Sequence, residues 1–215
     1  MKKGLFILLI FCFSLTVISC GDLKEESTTT DTTAPVIAEV TAVTTPTNDS
    51  TPDYTFSSDE AGTITYGGSC SSSTSIVISG NNTITLNSLS DGTYSDCTIA
   101  IRSSTGYLSN ILTITSFIVD STAATLTEVT AVTTTNDNTP NYIFSSSEAG
   151  TITYGGSCSS STTSVTTGSN TITLVSLSEG TYSDCTITVT DTSSNSVTLN
   201  ISSFVIDTTA PTIAE

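Results

Sequence analysis

Glu60-Ala-Gly-Thr-Ile-Thr-Tyr-Gly-Gly-Ser-Cys70 returns residue for residue as Glu148-Ala-Gly-Thr-Ile-Thr-Tyr-Gly-Gly-Ser-Cys158, 88 positions on. Ile64 and Tyr66 alternate with Thr63 and Thr65, the period-two pattern of a strand with one buried and one wetted face. Gly67-Gly68 ends that strand with a turn signal, and a cysteine follows. The stretch therefore reads as β-structure, and its exact return makes the chain a tandem repeat.

Two further segments recur in the same order. Gly92-Thr-Tyr-Ser-Asp-Cys97 comes back at Gly180 to Cys185, and Glu39-Val-Thr-Ala-Val-Thr-Thr at Glu128. Tyr54 and Phe56, Ile84 and Leu86, then Cys97, Ile99 and Ile101 alternate with Thr and Ser, as do Tyr142 and Phe144, Ile172 and Leu174, then Cys185, Ile187 and Val189. No stretch has a convincing helical period. Roughly seven short strands per copy predict an all-β fold of two tandem antiparallel sandwiches. Asp31-Thr-Thr-Ala-Pro35, Asp120-Ser-Thr-Ala-Ala124 and Asp207-Thr-Thr-Ala-Pro211 punctuate the copies.

The expected division is 1–19 as a targeting segment, 20–33 as a tether, 34–120 and 121–207 as repeats, and 208–215 as the start of a third. Ile213-Ala-Glu215 repeats Ile37-Ala-Glu39, so the chain either belongs to a longer array or lends a strand elsewhere. Residues 21–33, rich in Thr and acids, have too few apolar side chains to bury a core.

Lys2 and Lys3 precede an apolar run from Leu5 to Phe13 that is too short to span a bilayer. Val17-Ile18-Ser19-Cys20 resembles the lipobox of bacterial lipoproteins. That resemblance implies an acylated Cys20 and a protein exported and held on a membrane by its lipid, at the cell surface or facing the periplasm.

Composition narrows the function classes. The formal charge is −16, and losing Lys2 and Lys3 leaves Lys24 and Arg102 against twenty carboxylates, −18. Nucleic acid is not an expected partner, because its binding rests on cations that neutralise phosphates. Without a single histidine, Ser-His-Asp and Cys-His nucleophiles are excluded. Asp59 and Glu60 are adjacent, and neighbours on a strand point to opposite faces, so no carboxylate pair is expected and the chain is not read as an enzyme.

Leu89-Ser-Asp-Gly92-Thr-Tyr94 and Leu177-Ser-Glu-Gly180-Thr-Tyr182 resemble the tyrosine-corner entry of immunoglobulin-like domains, and residues 31–206 are similar to the bacterial Ig-like repeats of exported proteins. In that family the tyrosine keeps phase with the core residues that follow, whereas Tyr94 and Cys97 lie three apart. Bulges are therefore expected at Ser95-Asp96 and Ser183-Asp184, with bends before Phe117 and Phe204.

Export and identical spacing point to disulfides Cys70–Cys97 and Cys158–Cys185. The resemblance also raises calcium at the repeat junctions, with Asp31, Asp120, Asp191, Asn195 and Asp207 as oxygen ligands. Ordinary turn chemistry of Asp and Asn competes with that reading, and Arg102 is read as standing in Asp191's place in the first copy. No other cofactor is expected. Tyr66, Tyr94, Tyr107, Tyr154 and Tyr182 are read as core or corner residues in preference to a sugar platform, with Tyr107 exposed. The expected role is a structural stalk or adhesion module with a protein or glycan partner; the alternative is a calcium- or glycan-binding module.

Overall fold

Threonine-padded alternation decides which face of each strand goes inside. The computed structural model describes residues 31–213, and these contain strands and no helix. In the first copy the strands are β1 (Ile37–Thr41), β2 (Asp53–Ser58), β3 (Gly62–Gly67), β4 (Ile76–Val77), β5 (Gly80–Thr85), β6 (Gly92–Tyr94), β7 (Thr98–Ser103), β8 (Leu112–Thr113) and β9 (Phe117–Val119). In the second they are β10 (Leu126–Thr130), β11 (Asn141–Ser146), β12 (Gly150–Gly155), β13 (Ser164–Val165), β14 (Gly168–Thr173), β15 (Gly180–Tyr182), β16 (Thr186–Thr190), β17 (Ser196–Asn200) and β18 (Phe204–Ile206).

Each copy is an immunoglobulin-like antiparallel sandwich. A three-stranded sheet β1-β2-β5 faces a four-stranded sheet β4-β3-β7-β8, with a short ribbon β6-β9 at one end; β10 to β18 repeat the arrangement. The first copy buries Tyr54, Phe56, Ile84, Ile99, Ile101 and Phe117, and the second an equivalent set around Tyr142, Phe144, Ile172, Ile187 and Phe204. Disulfides Cys70–Cys97 and Cys158–Cys185 lie within these cores.

Nine segments per copy reduce to about seven strands, because β6 and β7 are one strand interrupted at Ser95 to Cys97, and β8 and β9 another interrupted at Ile114 to Ser116. The interruptions fall where the phase slips predict. Their form differs from the expected bulge. Tyr94 faces Phe117 on one side of the break and Thr98 faces Thr113 on the other, four residues on along one strand and four back along its partner. No residue is inserted, so both strands bend together, and β15-β18 with β16-β17 do the same.

Close approach of the β3 end holds this bend. Gly68 adopts a φ of 73°, and a Cβ there would lie 2.0 Å from the Asp96 carbonyl oxygen. The Ser69 hydroxyl donates to Asp96 at 2.9 Å, and the disulfide closes next to it. Tyr94 stays at the rim, donates its hydroxyl to the Ser90 carbonyl at 2.8 Å and stacks on Phe117 at 5.3 Å. Tyr182 matches it with Ser178 and Phe204. These are tyrosine corners.

A bulge does occur where the alternation gives no sign of one. Register slips in β1 between Glu39 and Thr41, and in β10 between Glu128 and Thr130, leaving Val40 and Val129 outside the ladder. The slip brings the Glu39 carboxylate to the opened strand at Ile114 to Ser116, where it accepts from the Thr115 N–H at 3.0 Å and the Thr115 hydroxyl at 2.7 Å. Glu128 accepts from Ser202 in the same way. The bent strand loses a ladder partner, and the bulged strand supplies a side-chain one.

Candidate functional site

The loop Asp191 to Asn195 connects β16 and β17 and is wound around the Asp191 carboxylate. Asp191 accepts from the backbone N–H groups of Ser193 at 2.8 Å and Asn195 at 2.9 Å, and from the Asn195 amide at 2.9 Å. Ser194 carries a φ of 74°, a left-handed conformation that L side chains adopt at some cost.

That loop meets the end of the first copy. The Asn195 amide donates to the Asp120 carbonyl at 2.7 Å, and the Ser193 hydroxyl to the Asp120 carboxylate at 3.1 Å. From the first copy, the Asn48 amide donates to the Ser194 carbonyl at 3.3 Å. Ser193 is buried among these groups.

Three carboxylates, Asp120, Glu148 and Asp191, converge here with oxygens within 4.8 Å of one another. Burial, followed by the negative charges of Asp120 and Asp191, pushes the Glu148 carboxyl above its ordinary value. Oxygen donors at this spacing suit a hard cation. Of the five residues singled out in the sequence, Asp120, Asp191 and Asn195 come together, with Glu148 as a member the sequence reading misses.

Asp31 is exposed at the first described position. Asp207 is exposed at the far end of the second copy, where its carboxylate accepts from the Thr209 N–H at 3.1 Å. Cys20 lies outside the described residues. Residues 208–213 form no strand, and 214 and 215 are not described.

Register corrects one reading. Ser103, opposite Gly62, holds the place of Asp191, while Arg102 matches Thr190: Thr63 faces Arg102 as Thr151 faces Thr190. The 88-residue offset that relates Cys97 to Cys185 runs straight through both strands, so this alignment is present in the sequence itself.

Other acids and tyrosines have local duties. Asp49 and Asp137 accept from the N–H and hydroxyl of Thr51 and Thr139 as turn formers. Tyr66 and Tyr154 donate to the carbonyls of Thr74 and Thr162 and pack against the cores. Tyr107 is exposed.

No family model matches the chain, and no curated protein does. Among solved structures it is similar to the D00-D0 domain of intimin, with 14% identity, 80% of this chain and 99% of that chain covered, and a TM-score of 0.37. A tetra-tandem repeat in the extending region of a large adhesion protein aligns at 19% identity over 81% of this chain and 49% of its own, TM-score 0.30. The SGBP-B protein of a Bacteroides ovatus mixed-linkage glucan utilization locus, solved with a heptasaccharide, aligns at 14% identity over 72% and 41%, TM-score 0.24.

Proposed function

We propose that the chain is an exported surface module, held on a membrane through a lipidated Cys20, in which immunoglobulin-like repeats act as a spacer that carries an interaction surface outward. The observation that supports it best is the junction: two separately closed cores meet through Asp120, Ser193, Asn195 and Asn48. Paired cysteines suit an oxidising compartment. No helix among the described residues is long and apolar enough to cross a membrane, and an acyl anchor needs none.

Metabolic labelling with a fatty acid tests the anchor. Wild type incorporates label and fractionates with membranes, whereas Cys20→Ala does neither. A Cys20→Ala protein that stays membrane-bound overturns the anchoring.

In the second reading, calcium sets the junction, and the convergence of Asp120, Glu148 and Asp191 favours it. Calorimetric titration of the mature chain with calcium chloride separates the two readings. Heat that disappears in Asp191→Asn supports the cation, and none supports a junction held by hydrogen bonds alone.

A further inference from the structure

The two copies differ sharply on one face. In the first, Thr63 on β3 faces Ile76 of β4 on one side and Arg102 of β7 on the other, and Arg102 bridges to Leu108. Residues directly opposite share a face, so Ile76, Thr63, Arg102 and Leu108 form a row across the solvent side of the four-stranded sheet. The same row in the second copy is Ser164, Thr151, Thr190 and Ser196.

An adjacent row changes the same way. Thr153, Thr188 and Thr198 of the second copy are matched by Thr65 and Ala100, with Ile111 in the place of Thr198. In the second copy the hydroxyls satisfy one another, Thr190 with Ser196 and Thr188 with Thr198, each at 2.8 Å. In the first, Ile76, Leu108 and Ile111 are 74%, 54% and 73% exposed. The second copy shows that the fold accepts hydroxyls at all these positions, so stability does not account for apolar ones.

Arg102 stands in the middle of this apolar ground. It is the sole cation among the described residues and makes no ion pair there; one guanidinium nitrogen donates to the Gly106 carbonyl at 2.9 Å. The remaining fork matches a carboxylate. A shallow concavity of about 250 Å³ lined by Ala61, Gly62, Ile76 and Val77 lies at the same end of the sheet.

We propose that this face of the first copy docks a partner protein segment that carries a carboxylate between aliphatic side chains. Charge complementarity selects the occupant. Elsewhere every formal charge on the described surface is negative, so Arg102 is the one place where a partner's acid finds an opposite charge. Flanking aliphatic contacts exclude water and strengthen that pairing. A membrane of anionic lipid is a poor fit, since such surfaces are held by clusters of cations. The inference rests on the fold and not on the lipid anchor.

The test uses the mature chain and two labelled, capped heptapeptides that alternate threonine with leucine, glutamate and isoleucine, the second having glutamine for glutamate. Fluorescence anisotropy should show the glutamate peptide binding wild type about tenfold tighter than the glutamine peptide. Ile76→Ser, Arg102→Thr and Leu108→Ser, each the second copy's residue, should together abolish binding while leaving the thermal transition near wild type. Amide shifts should fall on Thr63, Arg102 and Leu108. Equal binding of both peptides, binding that survives the triple substitution, or no binding at millimolar peptide overturns the proposal. So does capture of phosphatidylserine vesicles by a chain that ignores the peptides.

Discussion

At the scale of single residues, two glycines of the second copy make a matched pair. Gly156 adopts a φ of 70°, and a Cβ there would lie 2.0 Å from the Asp184 carbonyl oxygen, whereas Gly168, at 99°, has nothing within 4 Å. Gly156→Ala should therefore cost about 2–4 kcal/mol by denaturant unfolding, and Gly168→Ala only the conformational part, about 1 kcal/mol. Glu39 offers a pH test. Partial burial pushes its carboxyl up, but the Thr115 N–H and hydroxyl, with the nearby Tyr54 hydroxyl, outweigh this and hold it below 4.5. The Tyr54 hydroxyl is sealed from solvent and faces that charge without closing a hydrogen bond; burial first, then Glu39, pushes its ionisation well above the ordinary value of 10. A carboxylate that is more acidic folded than unfolded contributes stability above its unfolded pKa, and the contribution disappears as pH falls below 4.5 through the folded value. Glu39→Gln should lower stability at pH 7 by about 1–2 kcal/mol and flatten the acid limb of the stability curve; an unchanged acid limb refutes the latch.

At the scale of elements, the disulfides and the bent strands depend on each other. Each bridge spans 27 residues, and chain entropy assigns such a loop about 3–4 kcal/mol. Reduction should then lower the thermal midpoint of a sandwich this size by roughly 15–25 °C, followed by circular dichroism with and without a strong reductant. A shift of a few degrees would mean that the Gly68 and Ser69 contacts to Asp96 hold the bend unaided. Much of this level was legible in the sequence. Threonine alternation marked the strands, the three-residue spacing from Tyr94 to Cys97 marked the break, and the repeat paired the cysteines. The joint bend was not legible, because a slip in phase along one strand looks alike whether its partner follows or stays straight. Nor was the bulge at Val40, which shows only when Glu39 is seen reaching Thr115 in a strand 76 residues away.

For the molecule as a whole, what matters is which distant segments meet. Glu148 joined Asp120 and Asp191 unannounced, because the folded β16–β17 loop brings the junction of one copy onto the other. Arg102 with Ile76 and Leu108 was equally hidden, because Ile76 on β4 and Arg102 on β7 fall in one row only through Thr63 of the β3 between them, and Leu108 joins by an isolated bridge. Crowding makes the junction sensitive to charge. A carboxyl raised on folding disfavours the folded arrangement when ionised, and the penalty is relieved as pH falls through the raised value toward 4.5. Glu148→Gln should therefore tighten the junction at pH 7, read as a narrower spread of inter-repeat orientations by residual dipolar couplings. A broader spread would show that the acid itself ties the copies together. One contact also governs how the array would answer tension. In the first copy Thr47 runs parallel to β9, its N–H donating to Ile118 at 3.0 Å and its carbonyl accepting from Asp120 at 2.9 Å, and Thr135 does the same beside β18. Pulled from opposite ends, parallel segments slide past each other, so these bonds are strained together and not peeled one by one. Once they yield, each sulfur-closed loop, 27 positions from cysteine to cysteine, stays gathered, withholding roughly 90 Å of length per repeat until a reductant frees it.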